Sequence, residues 1–337
     1  MRGRALLLCL TLSACADPVA LPDAASITDA GRGDAAISRD AGSEPDAGEA
    51  PWREETSIPV RIQEIAVEAH EGRVWVAGGF DARAAVVASV RIYDPVARTW
   101  SDGPELPAPR HHMALVSHGG DLYALGGMQT AAFEPLDTAW VLRAGSDAWA
   151  PVAALPRDRG AMAAASVGDV IVLVGGNESR GGLATETLVY EPTADRWSFG
   201  APIPTEREHL AAVAVDGALH VLAGRRNSLG SAGSEHEIYD PAADAWRVGA
   251  PLPYPRGGFG AARLGDAIYA IGGEEPDQVL DTVDAFDLAT GTWRAAPPTR
   301  VPHHGFGAAA IGGRIYVVAG ASTPAFGAID VVESYAP

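Results

Sequence analysis

The stretch Asp121-Leu-Tyr-Ala-Leu-Gly126-Gly127 decides the fold, because close copies of it recur along the chain. Each copy is a short apolar run that ends in a Gly-Gly or an Ala-Gly pair. The second glycines of the pairs are Gly79, Gly127, Gly176, Gly224, Gly273 and Gly320. They lie 48, 49, 48, 49 and 47 residues apart, and this period indicates one repeat architecture of six units rather than two unrelated domains.

Three further markers keep the same phase. An aromatic residue stands three residues before the pair, and a Tyr-x-Pro element follows it, as in Tyr93-Asp94-Pro95. A tryptophan then closes the unit, at Trp100, Trp149, Trp197, Trp246 and Trp293. Together these markers resemble the signature of the kelch family over residues 51–337. The resemblance implies an all-β fold, a six-bladed kelch-type β-propeller, in which each four-stranded blade is stable only between its neighbours.

The two ends of the repeat region complete each other. The last unit reaches Tyr335 with no tryptophan after it, whereas Trp52 lies 48 residues before Trp100 with no earlier strands of its own. We therefore predict that residues 51–59 form the outermost strand of the last blade and close the ring.

The first fifty residues have a different composition. Residues 1–14 carry two arginines followed by a short apolar run, the pattern of a secretory signal. Leu12-Ser13-Ala14-Cys15 resembles the lipobox of bacterial lipoproteins, which implies cleavage before Cys15 and lipidation of that cysteine. Residues 15–50 then form a predicted disordered tether rich in Asp, Ala and Gly. The expected location is the cell envelope, with a lipid anchor, on the periplasmic side or the outer surface.

Composition excludes several classes of function. The net charge is −18 and all 25 basic residues are Arg, so a nucleic-acid partner is not expected. Both cysteines, Cys9 and Cys15, precede the repeats, which excludes disulfides and thiolate metal sites there. A galactose-oxidase-like cofactor, which requires a cysteine joined to a tyrosine, is excluded for the same reason. No cofactor is predicted.

An arginine recurs at the predicted start of the innermost strand. The position sixteen residues before the first residue of each pair holds Ile62, Arg110, Arg159, Arg207, Arg256 and His303. We predict that the four arginines and His303 bind ligand, since converging guanidinium groups suit a carboxylate or sulfate. The alternative is a structural role, in which they pair with Glu237, Asp284 or Glu333.

Histidines stand beside these positions, at His111, His112, His209, His303 and His304. They belong to blades two, four and six, which are not adjacent, so we expect a polar rim and no metal site. Glu206-Arg207-Glu208-His209 is a candidate acid/base cluster, although no catalytic residue is assigned. The loops over residues 180–185 and 225–234 are rich in Gly and Ser and long enough to carry recognition.

The predicted function is a membrane-anchored binding module that presents its loop face to a protein or glycan ligand. The alternative is an enzyme similar to the periplasmic kelch mutarotases that act on sialic acid, which would require Glu206 or Glu208, together with Arg207, to point into the channel. A third interpretation is a purely structural role in an envelope assembly, with contacts made by the blade edges.

Overall fold

The structure is a computed structural model that describes residues 51–179 and 182–337. The predicted signal segment, Cys15 and the tether lie outside the described residues. Within the described ranges the regular structure is β-sheet, apart from one 3-10 turn at Leu229–Ser231. No helix in this part of the chain is long and apolar enough to cross a membrane.

The strands of the first half are β1 (Trp52–Glu54), β2 (Ile62–Gln63), β3 (Ala66–His70), β4 (Arg73–Ala77), β5 (Phe80–Asp81), β6 (Val90–Asp94), β7 (Thr99–Asp102), β8 (Ala114–His118), β9 (Asp121–Leu125), β10 (Ala139–Leu142), β11 (Trp149–Pro151), β12 (Ala163–Val167), β13 (Val170–Val174), β14 (Thr187–Glu191) and β15 (Arg196–Gly200). Those of the second half are β16 (Ala211–Val215), β17 (Ala218–Arg225), β18 (Ala232–Asp240), β19 (Ala245–Val248), β20 (Gly260–Leu264), β21 (Ala267–Ile271), β22 (Glu274–Glu275), β23 (Gln278–Val279), β24 (Val283–Asp287), β25 (Thr292–Ala296), β26 (Gly307–Ile311), β27 (Arg314–Val318) and β28 (Val332–Tyr335).

Twenty-four of these strands form six antiparallel four-stranded blades, which confirms the predicted propeller, and the remaining four form the two-stranded sheets β2-β5 and β22-β23. From the inside outwards the first five blades are β3-β4-β6-β7, β8-β9-β10-β11, β12-β13-β14-β15, β16-β17-β18-β19 and β20-β21-β24-β25. The innermost strands β3, β8, β12, β16, β20 and β26 contact one another in a closed cycle around the axis. The starts of these strands and the loops between the second and third strands lie on the same face, which is called the loop face below.

The sixth blade joins the two ends of the described chain. Its strands are β26, β27, β28 and β1, and β1 pairs antiparallel with β28 with Trp52 opposite Tyr335. The predicted closing strand is therefore present, three residues long within the predicted range 51–59.

The six tryptophans of the outermost strands join neighbouring blades. Trp246 lies on the outermost strand of its blade, and its Nε1–H donates to the carbonyl oxygen of Ala201, which follows the preceding blade, at 2.9 Å. The other five make the same bond at 2.8–2.9 Å, including Trp52, which donates to Pro297 across the closure. The recurring Trp is thus conserved in phase along the chain because each blade needs this link to the one before it.

The glycine pair is required by a close approach of backbones. Gly126 has φ +59°, and a Cβ there would lie 2.6 Å from the carbonyl oxygen of Arg159 in the next blade. The following Gly127 donates its N–H to that same oxygen at 2.8 Å. Ala223 and Ala319 keep the left-handed backbone in the two imperfect pairs, with φ of 42° and 52°.

Candidate functional site

The positions predicted to bind ligand lie inside the blades. Arg110, Arg159, Arg207, Arg256 and His303 are at most 2% exposed. Arg207 Nη1 donates to Glu237 at 2.5 Å, and Arg256 Nη2 contacts Asp284. Glu237 and Asp284 are the acidic residues with which the arginines were predicted to pair if their role is structural.

The other three positions are also held by their own blades. Arg159 contacts Glu178 and donates to Glu186 at 3.2 Å. Arg110 donates to Thr138 and lies 4.5 Å from the ring centre of Trp140. His303 contacts the carbonyl oxygen of Ala319 through Nδ1 at 2.8 Å. Ligand binding by these five residues stays a prediction, and the structure shows the polar groups that already surround them.

A second ring of positions, two residues further along each strand, lies at the axis. It consists of Glu64, His112, Ala161, His209, Gly258 and Gly305, and is called the axial ring below. All six have a left-handed backbone, with φ between 52° and 63°. The N–H of each donates to the carbonyl oxygen of its counterpart in the preceding blade, at 2.5–3.3 Å, and Glu64 closes the circle by donating to Gly305. Six backbone hydrogen bonds therefore join all blades at the loop face.

Three side chains of the axial ring meet above it. Glu64 Oε2 lies 3.0 Å from His112 Nε2, and His112 Nε2 lies 2.9 Å from His209 Nε2. The three ligand atoms all lie within 4.8 Å of one another. The expectation that histidines of non-adjacent blades stay apart is wrong here, because the narrow ring brings blades one, two and four together at the axis.

Neighbouring groups orient both imidazoles. His111 Nε2 lies 3.1 Å from the carbonyl oxygen of Thr130, so it carries the proton and donates. His111 Nδ1 is then an acceptor for the Nδ1–H of His112, 2.5 Å away. The Nδ1 atom of His209 contacts the carboxylate of Glu208. In each case Nδ1 is held by a neighbour, and the two Nε2 atoms face each other and Glu64.

A buried chain of charges supports this arrangement. Arg225 donates through Nε to Glu208 at 3.0 Å and through Nη1 to Glu274 at 2.6 Å. Glu274 Oε2 lies 3.4 Å from Nδ1 of His304, and Glu64 Oε1 lies 3.8 Å from the same atom. His304 Nε2 faces the carbonyl oxygen of Thr323 at 2.9 Å, so Nε2 donates there and Nδ1 faces the two carboxylates.

These groups line a cavity of about 500 Å³ on the loop face. Its floor holds Glu64, His112, Glu208, His209 and Glu274. One wall is aromatic and is formed by Phe80, Phe133 and Phe326, with Phe80 at 6.0 Å and 5.5 Å between ring centres from the other two. The second predicted recognition loop contributes Arg225, Asn227, Ser228 and Leu229. The cavity thus combines an acidic, imidazole-rich floor with an apolar wall.

Burial and charge shift the titration of the floor. Burial would raise the pKa of Glu64, but the nearby His112, His209 and His304 outweigh it and hold that pKa well below its usual range. Burial lowers the pKa of His209 well below 6.5, and the charge of Arg225 lowers it further. Burial, together with His112, lowers the pKa of His111 to about 4. At neutral pH, His111 and His209 are therefore neutral and Glu64 is ionised.

The candidate acid/base cluster is divided between different surroundings. Glu208 is 3% exposed and lines the cavity, whereas Arg207 is buried within its blade and Glu206 is exposed beside a separate depression. Of the features required for the mutarotase alternative, only Glu208 lies in the cavity.

The same alignment contains a signal for this site. The axial ring occupies the positions two residues after the recurring arginines. Phe80, Arg225 and Glu274 occupy the positions two residues after the first residue of each glycine pair. At these positions the residue type changes from blade to blade, whereas an arginine recurs at the positions that were aligned. Variation within a repeat, rather than repetition, marks the site here.

The fold and its axial cavity define the class of protein, a six-bladed β-propeller built from kelch-like repeats. Residues 64–107 and 255–300 match the family Kelch motif. The chain is 29% identical to Kelch-like protein 35 of Mus musculus over 158 residues, which is 44% of this chain and 25% of that protein. It is 28% identical to spermatocyte protein spe-26 of Caenorhabditis elegans over 159 residues, 47% of this chain and 27% of that protein.

These matches support membership of a kelch-repeat family. The chain spans about a quarter of the length of these curated relatives. The solved structure of YjhT superposes with a TM-score of 0.71 at 13% identity, covering 82% of this chain and 95% of that one. At this level of identity the likeness concerns the fold alone.

Proposed function

We propose that this propeller is a non-catalytic binding module that takes a segment of a protein partner into the cavity of the loop face. The observation that carries the proposal is the pair of exposed phenylalanines at the rim. Phe133 is 44% exposed and Phe326 is 53% exposed. Both rings pack beside the buried Phe80. Exposed aromatic side chains next to a preformed cavity are typical of protein-binding sites.

The polar floor determines which groups can enter. Four carboxylates line the cavity, those of Glu64, Glu178, Glu208 and Glu274, against one arginine, Arg225. Burying these carboxylates under a partner is favourable only if the partner supplies hydrogen-bond donors or positive charge. The surroundings therefore disfavour a free carboxylate or sulfate on the partner, which was the chemistry suggested by the recurring arginines. We propose a partner segment with an apolar side chain for the aromatic wall and a donor group for the floor.

The rim can be tested with three forms of the chain used as bait. Wild type, the double variant Phe133→Ser/Phe326→Ser and the control Phe199→Ser are exposed to extracts of the producing organism. Phe199 is a suitable control because it is 56% exposed and does not line the cavity. If both phenylalanine rings contribute strongly to binding, their loss lowers the affinity for the partner by about tenfold or more. Quantitative mass spectrometry measures the proteins retained by each bait.

A partner retained by wild type and by Phe199→Ser, but depleted with the double variant, supports the proposal. Equal retention by all three baits, or no retained protein at all, contradicts it. Melting curves of the three proteins serve to show that the substitutions leave the fold intact.

A second candidate is the sugar-acid mutarotase, which is favoured by the position of Glu208 in the cavity. NMR exchange spectroscopy of sialic acid anomers with catalytic amounts of the chain tests it directly. Accelerated exchange that Glu208→Gln abolishes would establish an enzyme. Exchange at the rate of the buffer alone would leave only the binding function.

We also propose that the module is held at the cell envelope by a lipid on Cys15. The support is the sequence Leu12-Ser13-Ala14-Cys15 at the end of the apolar run. Metabolic labelling with a radioactive fatty acid should mark the wild-type protein in the membrane fraction. Cys15→Ser should lose both the label and the membrane association, and a Cys15→Ser protein that stays labelled would contradict the proposal.

A further inference from the structure

We propose that Glu64, His112 and His209 form a binding site for a divalent transition-metal ion on the floor of the cavity. The ligand set is one carboxylate and two imidazoles, which suits Zn²⁺ and neighbouring first-row ions. The proposal goes beyond the proposed function, because it assigns an ion to the floor whatever partner occupies the rim.

Distances are the first support. An ion bound at about 2.0–2.2 Å places neighbouring donor atoms about 3–3.5 Å apart. The observed separations are 3.0 Å between Glu64 Oε2 and His112 Nε2, and 2.9 Å between the two Nε2 atoms. All three atoms lie within 4.8 Å of one another, so binding of one ion would require the cluster to contract around it.

Proton positions are the second support. Both Nδ1 atoms face neighbouring side chains: Nδ1 of His111 lies beside Nδ1 of His112, and the Glu208 carboxylate contacts Nδ1 of His209. Metal-binding histidines usually donate their other ring N–H to a carboxylate or another acceptor in this way. The two Nε2 atoms then face each other and the carboxylate of Glu64. Three donor atoms that converge in this way need a positive charge between them, which a proton or a metal ion supplies.

A third histidine, His304, provides further support for the site. His304 is 1% exposed, and its Nδ1 atom has no hydrogen-bond partner. Its Nδ1 atom faces the same cluster and lies 3.4 Å from Glu274 Oε2 and 3.8 Å from Glu64 Oε1. A buried polar atom without a hydrogen-bond partner is costly, which indicates that the floor of the cavity lacks a further group.

The site has room for additional ligands. Glu64 is 12% exposed, His112 is 5% exposed and His209 is 11% exposed, and all three line the cavity. With three protein ligands, the remaining coordination positions of the ion would be directed into the cavity. Water would fill them.

The test is metal binding by the untagged chain freed of metal by a chelator. Isothermal titration with Zn²⁺ measures affinity and stoichiometry, and Co²⁺ serves as a spectroscopic probe because its visible absorption reports ligand number. The expected result is one Zn²⁺ per chain and a Co²⁺ spectrum of low coordination number. His112→Gln and His209→Gln should each weaken Zn²⁺ binding more than about 100-fold, and Glu208→Gln should weaken it about 10- to 100-fold through the orientation of His209.

His118→Gln is the matched control, because His118 lies at the far end of its strand and contacts Ser166 rather than the cavity. It should bind Zn²⁺ like wild type. Circular dichroism and melting temperatures establish that each variant is folded, and Glu64→Gln provides a second, nearly isosteric test of the carboxylate. Zn²⁺ affinity that is equal in wild type, His112→Gln and His209→Gln, or no stoichiometric binding to wild type, would overturn the proposal and leave a proton-linked hydrogen-bond network.

Discussion

The Nε2 atoms of His112 and His209 lie 2.9 Å apart, although the two residues belong to the second and fourth blades and are 97 positions apart in the chain. The axial ring explains this contact. Each of its residues is bonded through the backbone to the equivalent residue of the preceding blade, so the ring is too narrow to keep non-adjacent blades apart. Side chains from three blades therefore form one cluster on the floor of the cavity.

The pair of Arg256 and Asp284 provides a test of the structural role of the recurring arginines. Arg256 is fully buried and Asp284 is 3% exposed, so Arg256→Met should leave an unpaired carboxylate and lower the free energy of unfolding by about 3–5 kcal/mol. The double variant Arg256→Met/Asp284→Leu should recover most of that loss, because it also removes the unpaired carboxylate of Asp284. Urea unfolding measures all three proteins.

An exposed ion pair is the control for this experiment. The side chain of Arg196, which pairs with Glu191, is 67% exposed, and Arg196→Gln should change stability by about 0.5 kcal/mol or less. An equal free energy of unfolding for Arg256→Met and Arg196→Gln would contradict the structural role. It would support the prediction that the arginines bind ligand.

Closure of the ring should depend on Trp52. Its side chain is 4% exposed, packs against Tyr335 with 5.1 Å between ring centres, and donates to the carbonyl oxygen of Pro297. Trp52→Ala should lower the free energy of unfolding by about 3–5 kcal/mol. Thermal unfolding followed by circular dichroism would show it, and an unchanged midpoint would mean that β1 contributes little to the last blade.

Alanine should be less favourable than glycine at two positions of the axial ring. Gly305 has φ +58° and a Cβ there would lie 2.5 Å from the Glu64 carboxylate, so Gly305→Ala should destabilise the fold by at least about 1 kcal/mol. Ala161 has φ +54°, and Ala161→Gly should be neutral or stabilising, since it relieves a left-handed alanine. Chemical unfolding of both variants is the measurement, and destabilisation by Ala161→Gly as large as that by Gly305→Ala would contradict the assigned strain.

Glu68 should make stability dependent on pH. It lies on the innermost strand β3, and burial raises its pKa to about 8, partly offset by a hydrogen bond from the backbone of Ser117. The folded state therefore holds the proton more tightly than the unfolded state. The contribution of Glu68 to stability falls as the pH rises from about 4.5 to about 8 and is constant above that.

The matched variant is Glu68→Gln, which keeps the shape and removes the ionisation. The difference in free energy of unfolding between Glu68→Gln and wild type should grow in favour of the variant over that pH interval. Urea titrations at several pH values provide the measurement. A difference that does not depend on pH would show that the carboxyl group titrates normally in the folded protein.

Most of the architecture was predictable because the repeat is local. Gly126 and Gly127 are required by the approach of the next blade, and Trp246 by its bond to the preceding one, so each blade carries the same residues at the same spacing. The closing strand followed from the offset between Trp52 and Trp100. The axial ring lies two residues beyond the aligned arginines, and it is harder to recognise in the sequence because Arg207 repeats between blades, whereas His209 does not repeat.

The sequence by itself determined the number of blades, the phase of the strands and the face on which the variable residues lie, since these follow from a period that any blade shares with its neighbours. Only the tertiary structure decided which variable residues meet. Glu64 and His209 are 145 positions apart in the numbering, and their approach depends on the narrow axial ring and on the left-handed backbone at both residues. That convergence is a property of the closed ring, and no single repeat contains it.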